Sequence, residues 1–325
     1  MNHINDIQFK LRDNVEQRKI RISKFGGNSH VSNQLNEMFK VQSIKYSDLK
    51  QPDSGKDIKR GENGNVIKKI YCGTEVACKR IPAVVDEDAT DSQKIQTELS
   101  ILSLLGKCDH IITFYGLTKV DKESTMVFAW ATHGDLKIFY ENHTLDWSLK
   151  LKFIRKIFKG LYFIHSNNIL HNDIRCKNIL VKDLTAKISG FEMSCSVQSN
   201  PLPIKNLSNS IYWMSPEIMK GMRYTYYSEM FSFGMLLWEL YYERVPYKKM
   251  NVQEIQEYVI NKGRETLYVF DSPIHKELTE LIRRAWQDDP HERPSEVQVD
   301  EKLEELYKNH MHEYILPPVS IKKSQ

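Results

Sequence analysis

The chain has 325 residues, 41% hydrophobic and 27% charged, with a formal net charge of +4. That balance suits a soluble globular protein with one large or two small cores, and the lack of any apolar run of about 18 residues argues against a transmembrane segment. Five cysteines without a CxxC pair, and a start (Met1-Asn2-His3-Ile4-Asn5-Asp6) without an apolar stretch, argue against a disulfide framework, a structural zinc or a secretory signal, so a reduced cytoplasmic setting is expected.

The positive excess lies in the first residues. Residues 1–50 carry nine Lys/Arg against five Asp/Glu, which is the whole of the surplus. A basic arm suits acidic lipid or nucleic acid, but the mixed signs and sparse aromatics favour a solvated extension, and no nucleic-acid partner is expected. Within this arm, Gly26-Gly27-Asn28-Ser29 separates two weakly amphipathic segments, 7–24 and 31–42. A second polar stretch, Gln51-Pro52-Asp53-Ser54-Gly55, precedes the first β pattern.

Residues 56–82 read as strand, Gly-rich turn, strand and strand, with Val66-Ile67, Ile70-Tyr71 and Val76-Ala77-Cys78 lying near the breakers Gly64 and Gly73. Ile95, Leu99 and Leu102 then recur at helical spacing over 92–105, behind the possible caps Thr90 and Ser92. Strand-like runs follow at Ile111–Gly116 and Thr125–Trp130. From Asp146 the character changes. Ile154, Ile157, Phe158, Leu161 and Ile164 mark a long amphipathic helix, and short strands follow at 179–181 and 186–188. Met230–Leu240 is apolar on nearly every face, as in a helix buried in a large core. Further helical patterns lie near 252–262, 275–286 and 295–308, and the tail from Pro317 reads as frayed.

Several pieces carry chemistry. Gly61-Glu62-Asn63-Gly64-Asn65-Val66 sits between strands, where glycines let backbone approach phosphates and Val66 can cap a flat ring. Lys79 ends a strand 13 positions after Val66, and Glu98 lies on the next helix; a buried Lys79–Glu98 ion pair would orient the ammonium toward phosphates. His171-Asn172-Asp173 with Asn178 supplies a carboxylate to accept a hydroxyl proton and an amide oxygen for a metal. Glu217 in Ser215-Pro216-Glu217 expects Arg293 as its partner. Each piece alone is ambiguous; their order together is not.

With these motifs, residues 44–308 resemble the protein kinase superfamily, in its tyrosine-kinase-like branch. Trp213–Glu217, Ser232–Leu240 and Trp286–Pro294 are the most diagnostic runs. The resemblance implies an α+β bilobal protein kinase-like fold, with a small β-rich N-lobe carrying one helix (about 44–131) and a large, mostly helical C-lobe (about 132–308). Residues 1–43 form a basic extension and 309–325 a tail. It also implies roles. Gly61, Gly64 and Val66 resemble the nucleotide-covering loop, Ala77 and Leu180 the adenine sandwich, and Phe128 the residue controlling the back pocket. Ala129-Trp130-Ala131 resembles the hinge. Lys79 resembles the phosphate lysine with Glu98 its partner, Asp173 the catalytic base and Asn178 a metal ligand. Ser210 stands where serine/threonine kinases place a residue contacting the base, and Arg175 and Lys177 flank it. ATP is the implied nucleotide; protein partners or substrates are implied but not named.

Four positions depart from the pattern. Gly190, in Ser189-Gly190-Phe191-Glu192, replaces the aspartate that binds magnesium. Lys59 replaces the first glycine of the nucleotide loop, Asn172 an arginine that pairs with a phosphorylated loop, and Glu229 an aspartate that braces the catalytic loop. Gly190 weighs most, because a lost anionic ligand removes electrostatic stabilisation of roughly several kcal/mol from metal-dependent transfer. Magnesium is therefore expected to be weakly held or dispensable. Glu192 is read as a solvated loop carboxylate. The Gly-Phe-Glu form is similar to that of mixed-lineage kinase domain-like pseudokinases. Three functions remain open: an ATP-binding switch or scaffold with weak or absent transfer, an active kinase leaning to Ser/Thr, and a nucleotide-free interaction module.

Overall fold

The computed structural model describes residues 41–52, 59–60, 65–81, 89–120, 123–199, 210–268, 270–310 and 320–321. The amphipathic segments 7–24 and 31–42 lie outside the described residues, apart from 41 and 42. Gln42 runs beside a strand there, its carbonyl accepting from Leu117 N.

The small lobe is built from β1 (Leu49–Lys50), β2 (Lys59–Arg60), β3 (Val66–Tyr71) and β4 (Thr74–Arg80), then helix α1 (Ala89–Leu105), β5 (Phe114–Val120) and β6 (Glu123–Ala129). The sheet order is β1-β3-β4-β6-β5, with β2 also on β3 and every pairing antiparallel. Cys72 and Gly73, both at positive φ, turn β3 into β4. The register places Val66 opposite Lys79 and Ala77 opposite Phe128, so residues far apart in sequence share one wall of a cleft. Ile44, Leu49, Val76, Cys78 and Val127 form this lobe's own small core.

Beyond the hinge come α2 (Leu136–Asn142), β7 (His143–Thr144), α3 (Trp147–Ser166), β8 (Ile169–Leu170), β9 (Ile179–Lys182), β10 (Thr185–Ile188) and β11 (Cys195–Ser196). After them lie α4 (Pro216–Met219), α5 (Tyr226–Tyr242), α6 (Val252–Ile260), α7 (Pro273–Ala285), α8 (Glu296–His310) and β12 (Ser320–Ile321). Helix α3 starts where Asp146 accepts from Leu149 N at 2.7 Å and buries Ile154, Ile157, Phe158, Leu161 and Ile164. Helix α5 is mostly apolar and, past its exposed Tyr227, mostly buried, with Phe231, Phe233, Leu236, Leu237 and Trp238 fully enclosed. It can lie this close to α7 because residue 234 is glycine: a Cβ there would stand 2.8 Å from that of Ala285.

The sequence reading missed α2. Asp135 caps it, accepting from Ile138 N at 2.9 Å, and Leu136, Phe139 and Tyr140 point inward. The run expected at Ile111–Gly116 is instead a strand from Phe114 to Val120, with Ile111 and Ile112 buried ahead of it.

Candidate active site

The catalytic loop hangs between α3 and β9 and is held from below by α5. One oxygen of Glu229 accepts from the backbone N–H of Asn172, and the other pairs with His165 Nε2 at 2.6 Å. His165 also meets Glu296 through Nδ1. Burial disfavours the imidazolium, but hydrogen bonds and charge from Glu229 and Glu296 hold its pKa up at about 9. The longer side chain at 229 therefore still braces the loop, and gains a histidine. Glu239, ten residues further along α5, is a second brace. It accepts from Tyr140 Oη at 3.1 Å, Cys176 N at 3.1 Å and Trp213 Nε1 at 2.9 Å. Burial lifts its pKa to about 7 against those bonds. Nothing singled it out in the sequence except an acid inside a mostly apolar helix.

Asp173 is fully engaged. Ser210 Oγ donates to Oδ1 at 2.6 Å, while Oδ2 accepts from Asn178 Nδ2 at 2.6 Å and from Arg175. Arg175 Nη2 stands 3.0 Å from the same oxygen, and its guanidinium carbon lies 5.5 Å from the centre of the Trp213 ring. Asn178 Nδ2 also donates to the Asp173 carbonyl at 2.8 Å. Asn172 has φ +65° and donates its amide to the Met193 carbonyl at 3.0 Å. A neutral hydrogen bond thus ties Met193, three residues past Gly190, to the loop that carries Asp173, at the position where the family pattern has an arginine.

The ion pair expected between Lys79 and Glu98 is not formed. The Lys79 ammonium instead pairs with Glu192. Glu192 rides on the short turn Phe191–Met193, whose entry residue, Gly190, sits in the left-handed region at φ +80°. That backbone turn swings the Glu192 carboxylate up toward β4, while Phe191 stays buried with its ring 4.9 Å from that of His171. Glu192 thus keeps the solvent exposure expected of a loop carboxylate, its side chain 47% exposed, but gains Lys79 as a partner. Glu98 is buried nearby, within the electrostatic reach of both. Burial first, and the Glu192 charge second, raise its pKa to about 7, with Lys79 only partly offsetting them. Burial works against the Lys79 charge, yet the two carboxylates hold its pKa above the ordinary lysine value. Burial likewise opposes the Glu192 charge, and the Lys79 ammonium overcomes it and lowers the pKa. Lys79 and Glu192 form the ion pair, and Glu98 beside them holds its proton more tightly than an ordinary glutamate.

Above this cluster, Val66, Ala77, Phe128 and Leu180 are partly exposed apolar side chains facing the cleft between the lobes. Leu180 is bridged to Asp135, at the cap of α2. In the hinge, Ala129 N donates to Thr113 O at 2.9 Å and Trp130 N to Glu75 O at 3.1 Å. The Ala131 carbonyl accepts from Arg60 at 2.5 Å. Gly61 and Gly64 lie outside the described residues. Glu217 and Arg293 meet through two bonds of 2.6 and 2.8 Å, as the motif order led one to expect.

The sequence profile for protein tyrosine and serine/threonine kinases matches residues 53–303. The chain belongs to the protein kinase family. The chain is 25% identical over 264 residues to the serine/threonine-protein kinase STY17 of Arabidopsis thaliana, covering 80% of this chain and 45% of that one. It is 31% identical over 272 residues to the megakaryocyte-associated tyrosine-protein kinase of Rattus norvegicus, covering 79% and 53%. With the serine/threonine/tyrosine-protein kinase HT1 of Arabidopsis thaliana it shares 28% identity over 273 residues, covering 81% and 69%. The chain spans about half the length of the first two of these relatives. Its fold is that of a kinase domain, a curled β-sheet lobe over a helical one. No helix among the described residues is long and apolar enough to cross a membrane.

Kinases use ATP and magnesium, and where the family pattern has a metal-binding aspartate this chain has Gly190. Gly190 offers no oxygen. A Cβ at Gly190 would lie 2.6 Å from Asn178 Cγ and Oδ1, so the space an aspartate would fill is already taken by the Asn178 amide. The Asn178 Nδ2 donates to Asp173, which leaves its Oδ1, the atom that would meet a metal, outside both bonds. Among the described residues, no group of three His, Cys, Asp or Glu is placed to hold a metal ion.

Proposed function

We propose that this chain is an ATP-binding, pseudokinase-type signalling protein, a cytoplasmic switch or scaffold whose phosphotransfer is weak or absent. Its kinase-like domain would be 44–308, flanked by the basic extension 1–43 and the tail 309–325. The observation that carries this reading is the packing of Asn178 into the space above Gly190. A phosphate-transferring cleft of this family needs its metal charge where the phosphates are; here residue 190 supplies no carboxylate, and the Asn178 amide crowds the place a Cβ would take. The Lys79–Glu192 pair supports the same reading. Phosphates would have to take Lys79 away from Glu192, so nucleotide binding would move the turn at Phe191–Met193. That coupling suits a switch.

A second reading, an active kinase acting on serine or threonine hydroxyls, is favoured by the Ser210–Asp173 bond at 2.6 Å. Two measurements separate these readings. Thermal-shift titration with ATP in EDTA, and again with Mg²⁺ or Mn²⁺, reads binding through RT ln(1 + [L]/Kd), about 2.7 kcal/mol at a hundredfold excess over Kd. A phosphotransfer assay compares the native chain with Asp173→Asn. A shift in EDTA with no Asp173-dependent transfer supports the proposal. Brisk magnesium-dependent transfer that Asp173→Asn abolishes overturns it in favour of the active kinase, and no shift under any condition leaves an interaction module with an empty cleft.

A further inference from the structure

Arg60 closes strand β2 and pairs across the strands with Val66. Its guanidinium leaves the small lobe and reaches the hinge. Nη1 donates to the Ala131 carbonyl at 2.5 Å and Nη2 to the Thr132 carbonyl at 3.1 Å. The guanidinium carbon lies 4.4 Å from the centre of the Trp130 ring, and Lys68 Nζ from the neighbouring β3 lies 5.2 Å from it. Trp130 itself is buried. Two cations from adjacent strands thus hold the lower edge of the small lobe against one aromatic ring of the hinge. The chain passes close beneath: a Cβ at Gly134 would be 3.8 Å from Nη1. A planar fork of donors is well suited to bridging two consecutive carbonyls, which a lysine ammonium is not.

The place of this contact matters. Val66, the cross-strand partner of Arg60, lies on the roof of the cleft, and Leu180 lies on its floor, bridged to Asp135 just beyond the hinge. Arg60 spans from the roof strand to Ala131 and Thr132, across the side where a flat base would slide in toward the hinge backbone. Resting on the nucleotide-binding reading above, we propose that Arg60 gates the cleft: its bridge to the hinge carbonyls must open before the base of a nucleotide can seat. The gate holds the cleft in a closed population, so the apparent Kd exceeds the intrinsic one by the reciprocal of the open fraction.

The test is ATP titration in EDTA of the native chain, Arg60→Ala and Arg60→Lys, followed by thermal shift and by tryptophan emission. Trp130→Phe identifies the share of the emission that belongs to Trp130. Both Arg60 variants are expected to bind ATP roughly tenfold more tightly than the native chain. Arg60→Lys should match Arg60→Ala, because a primary ammonium does not span the two carbonyls. In the native chain the Trp130 emission should change as ATP binds, and in Arg60→Ala that change should be missing. Unchanged or weaker binding by Arg60→Ala overturns the gate while leaving nucleotide binding in place. Weaker binding by Arg60→Ala with native affinity in Arg60→Lys assigns Arg60 to attracting phosphates and also overturns it. If none of the three proteins binds ATP, the nucleotide reading fails and the gate fails with it.

Discussion

Glu98→Gln should make this protein more stable at pH 8 and leave its stability at pH 4 nearly unchanged. In a cleft where Glu98 held Lys79 the opposite would be expected, since removing one partner of a buried ion pair strands the other. Here Glu98 is only 8% exposed, and its pKa lies at about 7 instead of the ordinary 4.5. The sign follows from proton linkage. The folded state binds this proton more tightly than the unfolded chain, so as pH rises from 4.5 through about 7 the unfolded chain loses its proton first and folding stability falls. At about 1.36 kcal/mol for each pH unit, the interval amounts to roughly 3 kcal/mol. This is an upper bound, because an ionised Glu98 would draw Lys79 from Glu192 and recover part of it. Glutamine keeps the volume and carries no proton to lose, so the variant should escape this loss. For a domain of this size the gain at pH 8 would be up to roughly 8 °C in Tm. Thermal denaturation of both proteins at several pH values between 4 and 8.5 reads it directly. A variant less stable than the native chain at pH 8, with the deficit still present at pH 5 and fading only toward pH 4 and below, would show that Glu98 is ionised and paired, and would refute the reasoning.

Three other perturbations probe the same cluster and its supports. Gly190→Asp must displace the Asn178 amide and accept a left-handed backbone; without metal it should lose about 1–2 kcal/mol, and added Mg²⁺ should restore part of that in a thermal-shift assay that leaves the native chain unmoved. Asn172→Ala removes the bond to the Met193 carbonyl; a stability loss of about 1 kcal/mol, with faster hydrogen exchange over residues 191–196, is expected. Arg293→Ala leaves the Glu217 carboxylate buried without its partner; chemical denaturation should show a loss of about 3–5 kcal/mol.

The periodic parts of this fold were legible in the sequence. Helix α3 announces itself through Asp146 and an apolar stripe, and α5 through its length of apolar residues. Helix α2 was overlooked because it is short and its only strong signal is Asp135 ahead of Leu136. The sequence order placed Lys79, Glu98, Asp173 and Asn178 around one cleft, since each is fixed to the end of an element or to a braced loop. It did not say which carboxylate Lys79 would choose. That choice depends on the left-handed turn at Gly190, which aims Glu192 at β4, and on burial deep enough to raise the Glu98 pKa. Neither leaves a periodic trace. Arg60 escaped for a similar reason: in sequence it is one more lysine-or-arginine on a polar strand, and only the twist of β2 over the hinge gives it two carbonyls to bind.

The charges of the cleft explain why loss of the metal ligand and capture of Lys79 belong together. Lys79 is neutralised by Glu192, and Arg175 by Asp173, while burial raises the Glu98 pKa to about 7. Both cations of the cluster are paired without any bound ion. An aspartate at 190 would add a negative charge beside Asp173 and Glu192 that only a divalent cation could offset, whereas glycine lets the site close on its own residues. A triphosphate entering such a site finds no free cation in this cluster and must compete with Glu192 for Lys79. The competitor sits two residues from Gly190 and next to Met193, whose carbonyl Asn172 holds. On the proposed switch reading, a triphosphate that draws Lys79 away from Glu192 would free the turn Phe191–Met193 from β4.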